Sequence, residues 1–491
     1  MYLFVKEVIY KMFFENVGMR KETEFTEWLH DVLFNAKLYD YRYPVKGMGI
    51  WMPYGFKLRW NVLNIMRKLL DQKGHNEVQF PILIPKDMLE KEATHIEGFT
   101  SEVFWVTKGG NSPLEIELAL RPTSETPMTT AFKYWVQSWK DLPIKVYQIG
   151  SVFRYETKAT KPLIRVREVS MFKEAFTAHA SKEDAMRQFR EAVNIYKAFF
   201  NRLCIPYYIV DRPEWDRFAG ADKSVAFDTI MPDGRRLQIG SVHYLGQRFA
   251  KAFDAKFMKE DGTYEYLYQL SYGISERVIA ALLAIHGDDK GPILPPNIAP
   301  IQIVIVPIPY KGLEEKVNIE ARKLGKTLKR RKFRVLVDDR PEITPGAKFY
   351  EWERMGVPIR IEIGPRDIEN NVVTVVRRDT GTKTSIPQSK LGEELRSLMK
   401  AIIKDMSKRA WNELNARLVM TKTINEINDA INKGKVAMVP WCGKSECGHK
   451  LEETADFKIL GTPLKKINVK NEKCVMCGNP ARTLVYMARS Y

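Results

Sequence analysis

Two charged side chains in the first third of the chain are spaced for chemistry. Arg154 and Glu156 close an apolar run predicted to be a strand, where alternate residues project from one face. A basic loop follows, and a second strand-like run brings the aromatic Phe172 and the carboxylate Glu174 back beside the first. Because arginine can clamp phosphate, a ring can stack and carboxylates attract an ammonium group, the segment predicts a site for a nucleotide and an amino acid together. An isolated Arg-x-Glu would instead indicate a surface ion pair.

A second arginine is predicted to act on the same kind of ligand. An apolar strand turns through Gly273 into an apolar helix over residues 278–286, and Arg277 falls at the start of that helix. The positive end of a helix suits anions, and a guanidinium there can stack on a purine and contact a terminal phosphate. The alternative is a glycine-marked turn without a ligand, which would be sufficient to explain Gly273 alone.

Length and charge favour several domains and a polyanionic partner. The chain has 491 residues, more than one hydrophobic core usually serves, and carries a net charge of +18. Nucleic acid is the first partner that this excess indicates, and an anionic membrane surface is the second. No apolar run approaches the roughly 20 residues that span a bilayer, and charges interrupt the start of the chain, so we predict a cytoplasmic protein without a membrane segment or signal peptide.

The order of predicted elements indicates an α+β protein. Up to about residue 297 the helices and strands fit an antiparallel sheet flanked by helices rather than a regular alternation. A proline-rich connection over residues 294–300 marks a boundary, beyond which strands and helices alternate in a compact α/β unit. The predicted division is an N-terminal helical extension within 1–22, a large domain over 23–297, an α/β domain over 298–403 and a small domain over 404–491.

Four of the five cysteines form two close pairs near the C-terminus. They are Cys442, Cys447, Cys474 and Cys477. Two thiolate pairs separated by a loop suit tetrahedral Zn²⁺, and because no ligand position is left open we predict a structural metal. Four unrelated buried thiols are the alternative, and His449 could replace one ligand. The fifth cysteine, Cys204, is predicted to be a small core residue.

Taken in order, these segments resemble the three signature motifs of class II aminoacyl-tRNA synthetases. The motifs correspond to the helix at 55–74 with residues 80–85, to residues 153–172 and to residues 272–277. Further stretches resemble, more closely, prolyl-tRNA synthetases of the archaeal/eukaryotic-like type: residues 121–125, 177–180, 238–246 and 286–296. The resemblance covers nearly everything after about residue 24.

The resemblance implies a catalytic domain built on an antiparallel sheet, an α/β anticodon-binding domain and a small zinc-binding domain. It also implies a proline–tRNA ligase that uses L-proline, ATP with Mg²⁺ and tRNA(Pro), and that forms a homodimer. Two alternatives stay open: a non-catalytic synthetase-like protein that binds tRNA or an amino acid for regulation, and a class II enzyme for another amino acid. The first would be marked by loss of Arg154, Glu156 or Arg277, and all three are present.

Site residues carry over where the motifs match. Arg154 and Arg277 would be catalytic. The implied proline-binding residues are Thr123, Glu125, Arg154, Phe172, Glu174 and His243. The implied ATP-binding residues are Arg154, Glu156, Arg165, Val166 (through its backbone), Gln238, Ser241, Ser275 and Arg277. Candidates for reading the anticodon are Arg340, Lys348 and Glu353, for which a solvated loop and helix face is the alternative.

Two departures from family patterns bear on function. Phe176 stands where the family commonly has histidine, so any polar contact of that histidine is absent or supplied elsewhere. Bacterial-type relatives carry a large editing insertion between the second and third motifs, whereas here about 100 residues separate Phe172 from Tyr272. We therefore expect that this chain does not hydrolyse alanyl-tRNA in cis.

Overall fold

A computed structural model of the chain describes residues 20–91, 102–465 and 467–491. The predicted helical extension over residues 1–19 lies outside the described residues. The chain forms two compact units. One comprises the described part of Met1–Arg42, Gly49–Val62 and Leu282–Ala410, and the other comprises Tyr43–Met48, Leu63–Ala281 and Trp411–Tyr491.

The helices of the described residues are numbered here in chain order. They are α1 Phe25–Asn35, α2 Pro53–Asp71, α3 Lys86–Glu90, α4 Glu125–Trp135, α5 Lys182–Arg202, α6 Arg248–Ala252, α7 Arg277–His286, α8 Glu314–Arg330, α9 Pro345–Arg354, α10 Pro365–Glu369, α11 Leu391–Arg417, α12 Ile424–Asn432 and α13 Ser445–Ala455.

The strands are numbered in the same way. They are β1 Tyr39–Asp40, β2 Ile50–Trp51, β3 Asn76–Glu77, β4 Leu83–Pro85, β5 Phe104–Gly109, β6 Ser112–Leu120, β7 Ile144–Phe153, β8 Glu168–His179, β9 Tyr208–Asp211, β10 Lys223–Ile230, β11 Arg236–Gly246, β12 Lys256–Met258, β13 Tyr264–Tyr266, β14 Tyr268–Ile274, β15 Ile303–Pro307, β16 Val335–Val337, β17 Ile359–Ile363, β18 Val372–Arg377, β19 Lys383–Pro387, β20 Leu418–Met420, β21 Val436–Trp441, β22 Ile459–Pro463 and β23 Thr483–Met487.

The second unit is built on one large sheet. Its strand order is β20-β21-β23-β22-β9-β10-β11-β14-β8-β7-β3, and every pair is antiparallel except β20 with β21 and β3 with β7. The predicted antiparallel α+β fold is therefore confirmed. Strand β22 pairs with β9 through Thr462 opposite Asp211, so strands from the C-terminal region continue the central sheet.

Helices cover both faces of the central strands. Ser181 caps α5 by accepting a hydrogen bond from the Asp184 backbone, and the apolar stripe of α5 includes the buried Tyr196 and Phe200. On the other face, Phe132 of α4 packs in one apolar cluster with Phe176 of β8. The central strands are thus buried on both sides, which fixes their register and the side chains that they carry.

The first unit contains the α/β arrangement expected after residue 298. Its five-stranded sheet has the order β16-β15-β17-β18-β19, in which β15 is parallel to both neighbours and the last three strands are antiparallel. Strands β15 and β17 are buried along their whole length, as expected for strands with neighbours on both sides.

Several local predictions differ from the structure. The predicted buried strand over residues 80–85 is strand only from Leu83, and Ile82 and Leu83 are exposed. Strand β7 ends at Phe153, so Arg154 and Glu156 lie beyond it rather than on one strand face. The sequence around Trp135 and Trp139 predicts a helix that runs to Asp141, but the helix ends at Trp135. In each case the local apolar pattern extends beyond the residues that form the element in the structure.

Candidate active site

Sheet register brings polar side chains from distant segments onto one face. One row of paired positions crosses four neighbouring strands: Ser241 of β11 pairs with Gly273 of β14, Gly273 pairs with Glu174 of β8, and Glu174 pairs with Gln148 of β7. Since directly paired residues share a sheet face, they form a polar row across the centre of the sheet. The next row on that face becomes apolar at Phe176, beneath helix α4.

All of the residues predicted to bind proline and ATP line one cavity of about 370 Å³. Its volume falls within the range of small-molecule sites. The predicted residues that line it are Thr123, Glu125, Arg154, Glu156, Arg165, Val166, Phe172, Glu174, Gln238, Ser241, His243, Ser275 and Arg277. The roles assigned to them stay predictions, but the structure places them around one space.

Two buried carboxylates lie at one part of this cavity. Glu125 accepts hydrogen bonds from the hydroxyls of Thr123 and Ser271, the latter at 2.6 Å. Glu174 accepts from the Ser124 backbone at 3.1 Å, and the Thr123 hydroxyl also lies 3.4 Å from Glu174. Two acidic groups around one hydroxyl suit a cationic ligand.

Burial gives Glu174 an unusual acidity. Loss of hydration on burial, and to a smaller extent the nearby charge of Glu125, raises the pKa of Glu174 to about 7. Hydrogen bonds from Ser124 and Gln148 act in the opposite direction. The Gln148 amide donates to Glu174 at 2.9 Å, and its oxygen accepts from Arg121 at 3.2 Å. Glu174 therefore changes its protonation near neutral pH.

Arg154 and Arg277 enter the cavity from different segments. Nε of Arg154 donates to the Pro122 carbonyl at 3.0 Å, and Nε of Arg277 donates to the Ile164 carbonyl at 2.8 Å. Burial lowers the pKa of both, and for Arg277, which the charge of Arg154 also affects, the pKa falls to about 10. Both stay cationic at neutral pH, so the cavity presents two positive groups to a ligand.

The remaining predicted ATP residues surround those arginines. Arg165 lies 4.0 Å from Glu156, and both side chains are mostly buried. The Ser275 hydroxyl accepts from the backbone of Arg277 at 3.3 Å, at the start of α7. Gln238 accepts from Arg212 at 2.9 Å through its amide oxygen.

Of the two phenylalanines of β8, Phe172 lines the cavity and Phe176 belongs to the apolar core. Phe172 lines the cavity, and a Cβ placed on Gly273 would lie 3.6 Å from its ring, so glycine leaves open the space beside that ring. Phe176 is fully buried and packs against Phe80, with ring centroids 6.0 Å apart. The residue that replaces the family's usual histidine is therefore part of the apolar core.

His243 is held neutral beside the carboxylates. Its two ring nitrogens lie 2.9 Å from the hydroxyls of Ser224 and Ser241. Burial, with a smaller effect from the charge of Arg212, lowers the pKa of His243 to about 3. It can exchange hydrogen bonds in the cavity without adding positive charge.

Sequence reasoning missed several residues that hold the site together. Ser271 binds Glu125, and Gln148 and Ser124 bind Glu174. A period-two pattern could have indicated Ser271, because it alternates with Gly273 on β14 and with Ser275 just beyond the end of that strand. Gln148 had no local signal, since its role depends on pairing with β8.

The three anticodon candidates lie in the first unit with acidic or basic partners. Arg340 donates to Asp338 at 2.8 and 2.7 Å and to Glu351 at 2.6 Å. Lys348 is buried and donates to the Asp338 carbonyl at 3.1 Å. Glu353 accepts from Arg360 at 3.0 Å. Arg340, half-buried, is thus more open to a base than Lys348.

The four predicted metal ligands come together. The sulfur atoms of Cys442, Cys447, Cys474 and Cys477 all lie within 4.8 Å of one another. Sulfurs that share a tetrahedral Zn²⁺ at about 2.3 Å lie roughly 3.8 Å apart, so the cluster fits a zinc site. His449 packs instead against Trp215, with ring centroids 4.4 Å apart, and Cys204 is fully buried, as predicted.

Within the described residues, none of the helices combines the length and apolar character needed to cross a membrane.

Three family matches cover most of the chain. Residues 104–286 match the tRNA synthetase class II core domain (G, H, P, S and T). Residues 302–398 match an anticodon binding domain, and residues 424–491 match the C-terminal domain of prolyl-tRNA synthetase.

Relatives and solved structures agree with these matches. Proline–tRNA ligase of Sulfurisphaera tokodaii is 55% identical over 475 residues, 96% of this chain and 98% of the relative, and that of Ignicoccus hospitalis is 52% identical over 477 residues, 96% and 100%. The Giardia lamblia prolyl-tRNA synthetase in complex with prolyl-adenylate superimposes with a TM-score of 0.93 at 37% identity, covering 96% of this chain and 100% of that one. The Cryptosporidium parvum enzyme complexed with halofuginone and AMPPNP gives 0.91 at 33%, covering 97% and 98%. The chain therefore belongs to the prolyl-tRNA synthetase family, the proline–tRNA ligases.

Proposed function

We propose that this chain activates L-proline with ATP to give prolyl-adenylate and pyrophosphate, and then transfers the prolyl group to the 3′ end of tRNA(Pro). The observation that carries the proposal is one cavity that brings two buried carboxylates together with two partly buried arginines. A ligand with an ammonium group beside a carboxylate, joined to a polyphosphate, matches that charge pattern.

Proline would bind through its ammonium and its carboxylate. Its secondary ammonium has two N–H donors, whose hydrogen bonds Thr123 and Glu125 would accept. Glu174 and the neutral His243 would be the other polar side chains around the ligand. Phe172 would border the pyrrolidine ring. Arg154 would hold the reacting carboxylate against the α-phosphate.

ATP would occupy the rest of the cavity in a bent conformation. The charged contacts would come from Arg154, Glu156, Arg165 and Arg277, with the hydroxyls of Ser241 and Ser275, the amide of Gln238 and the backbone of Val166. In-line attack on the α-phosphorus needs orientation and charge stabilisation more than covalent help, and the two cavity arginines would supply both. Mg²⁺ would be held mainly by phosphate oxygens, with Glu156 and Glu276 as cavity carboxylates able to join them, and would neutralise phosphate charge.

The other parts of the chain would serve tRNA and assembly. We propose that residues 298–403 read the anticodon through Arg340, Lys348 and Glu353, and that residues 404–491 hold a structural Zn²⁺. The boundary at residue 404 falls inside α11 and stays a prediction, as do the extension within 1–22 and the catalytic domain over 23–297. Exposed Phe56 and Trp60 on one face of α2 support a homodimer, and we propose a cytoplasmic location.

A screen of ATP–pyrophosphate exchange across amino acids tests the activity. Exchange with proline alone supports the proposal. Exchange only with another amino acid, or none with any, would overturn it.

Rejection of alanine is a separate question. Each methylene that a substrate lacks in an apolar pocket forfeits only about 1–3 kcal/mol, so alanine, which lacks two of the ring carbons of proline, would be activated at a low rate. We propose that the chain does not clear alanyl-tRNA in cis. Rapid hydrolysis of purified alanyl-tRNA by the chain would contradict this.

A further inference from the structure

Arg212 connects the C-terminal region to a side chain of the nucleotide site. It follows β9, and its side chain is 5% exposed. One terminal nitrogen donates to the Leu460 carbonyl in β22 at 2.7 Å, and the other donates to the amide oxygen of Gln238 in β11 at 2.9 Å. A single guanidinium therefore joins β22 to β11 across the two strands that lie between them.

This contact determines which end of the Gln238 amide is available to a ligand. Because Arg212 donates to the amide oxygen, the NH₂ group is the end left to face a cavity ligand. A reversed amide would place donor against donor. An NH₂ group suits the acceptor oxygens of a phosphate or ribose, so the proposed ATP contact depends on this orientation.

A buried acid holds the guanidinium in place. Asp228 is fully buried, lies 3.3 Å from Arg212 and pairs with Gln238 across β10 and β11. A planar fork can reach Asp228, Gln238 and Leu460 at once, whereas the point charge of a lysine cannot. The charge is therefore compensated while the direction of each hydrogen bond is fixed.

The approach of β22 depends on one glycine. Gly461 has a φ of +136°, and a Cβ there would lie 2.4 Å from the Asp211 carbonyl oxygen of β9. A larger residue would push β22 away from β9, and would move the neighbouring Leu460 carbonyl away from Arg212.

We propose that Arg212 is a positioning residue through which strand β22 of the C-terminal region sets the Gln238 amide for ATP binding. The inference rests on the proposed function, in which Gln238 contacts ATP. It gives the C-terminal region a part in adenylate formation that is separate from metal binding.

The test compares Arg212→Lys and Gly461→Ala in proline-dependent ATP–pyrophosphate exchange. We expect KM for ATP to rise about tenfold in each, the loss of about one oriented hydrogen bond to a charged group, with KM for proline and zinc content little changed. Arg334→Lys is the matched control, since that arginine also donates to backbone carbonyls, those of Ala299 and Pro296, but in the first unit. Its KM for ATP should not change.

Other results would overturn the inference in distinguishable ways. An unchanged KM for ATP in Arg212→Lys, or equal rises of KM for ATP and for proline, would contradict the inference. If the wild type still catalyses proline-dependent ATP–pyrophosphate exchange, the proposed function stands in that case. Absence of exchange in the wild type would refute the proposed function instead.

If neither variant folds, amide hydrogen exchange of the wild-type protein provides the test. Coupling is reciprocal, so a saturating non-hydrolysable ATP analogue should slow amide exchange in β22. Unchanged exchange there, with slowed exchange around Arg277, would overturn the inference.

Discussion

Proline binding should release a proton near neutral pH. Burial and the charge of Glu125 raise the pKa of Glu174 to about 7, so below that pH the carboxyl of the empty site is mainly protonated. A prolinium cation beside it favours the ionised form and pulls the pKa down. Affinity should therefore fall as pH drops through 7, and should be nearly constant above 8.

The expected size follows from one titration. If only the ionised form binds proline, the dissociation constant grows by a factor of 1 plus 10 raised to pKa minus pH, which is about 11 at pH 6 and about 1.1 at pH 8. The loss between pH 8 and pH 6 is therefore about tenfold. The number of protons released per proline should be about 0.9 at pH 6, 0.5 at pH 7 and 0.1 at pH 8 by the same relation.

Other charged groups around Glu174 do not reproduce this dependence. His243 has a pKa lowered to about 3 by burial and stays neutral across the range, while Arg121 and Arg154 stay cationic. Lys173, the next residue in β8, also has a pKa lowered well below its usual value by burial, but it points to the opposite face, where it donates to Tyr196 at 2.9 Å.

Calorimetry of proline binding in buffers of different ionisation enthalpy measures the released protons directly. Glu174→Gln should abolish the release and make the affinity independent of pH, whereas Lys173→Met should keep it. Equal wild-type affinity at pH 6 and pH 8, or release that persists in Glu174→Gln, would refute the reasoning.

Four further variants test other parts of the structure. Arg154→Ala should lower proline-dependent ATP–pyrophosphate exchange by at least about 100-fold, because a buried charge at the reacting carboxylate is lost, and retention of most of the rate would contradict the assignment. Cys474→Ser should reduce zinc, measured by elemental analysis, from one equivalent per chain to a small fraction and lower the melting temperature, whereas full zinc content would argue against the four-thiolate site. Phe176→Ala should lower the free energy of unfolding in urea by about 3–5 kcal/mol, and a cost below about 1 kcal/mol would contradict its core position. Arg340→Ala should raise KM for tRNA in aminoacylation while leaving exchange unchanged; an unaltered KM would remove it from the anticodon site.

The sequence predicts the residues that face the ligand better than the residues that hold them in position. Arg154 and Arg277 were found because each lies beside a local pattern, a basic loop or a strand–glycine–helix turn, that survives without knowledge of the fold. Their convergence needed the resemblance to known synthetases. Gln148 and Ser271 act through strand partners far along the chain, and no local pattern specifies such pairing.

Long-range pairing also determines how the C-terminal region joins the central sheet. We predict a C-terminal zinc-binding domain over residues 404–491, and in the structure β22 of this region pairs with β9 while α11 passes through residue 404. The short strand β22 has a weak apolar signal, and its neighbour in the sheet is more than 200 residues away. Lys348 is a candidate for reading the anticodon, and in the structure it is buried and donates to the Asp338 carbonyl.

The carboxylate pair favours a cationic ligand in this cavity. Glu125 and Glu174 are both almost fully buried, and their hydrogen bonds to Thr123 and Ser124 come from neutral donors. Burial and the charge of Glu125 make the ionised form of Glu174 costly and raise its pKa to about 7, although Arg121 and the neutral donors act in the opposite direction. An ammonium group replaces the proton as counter-charge, and a neutral ligand cannot. The raised pKa of Glu174 therefore favours a ligand that carries an ammonium group, and Phe176, two residues along β8, continues this sheet face as apolar core beneath helix α4.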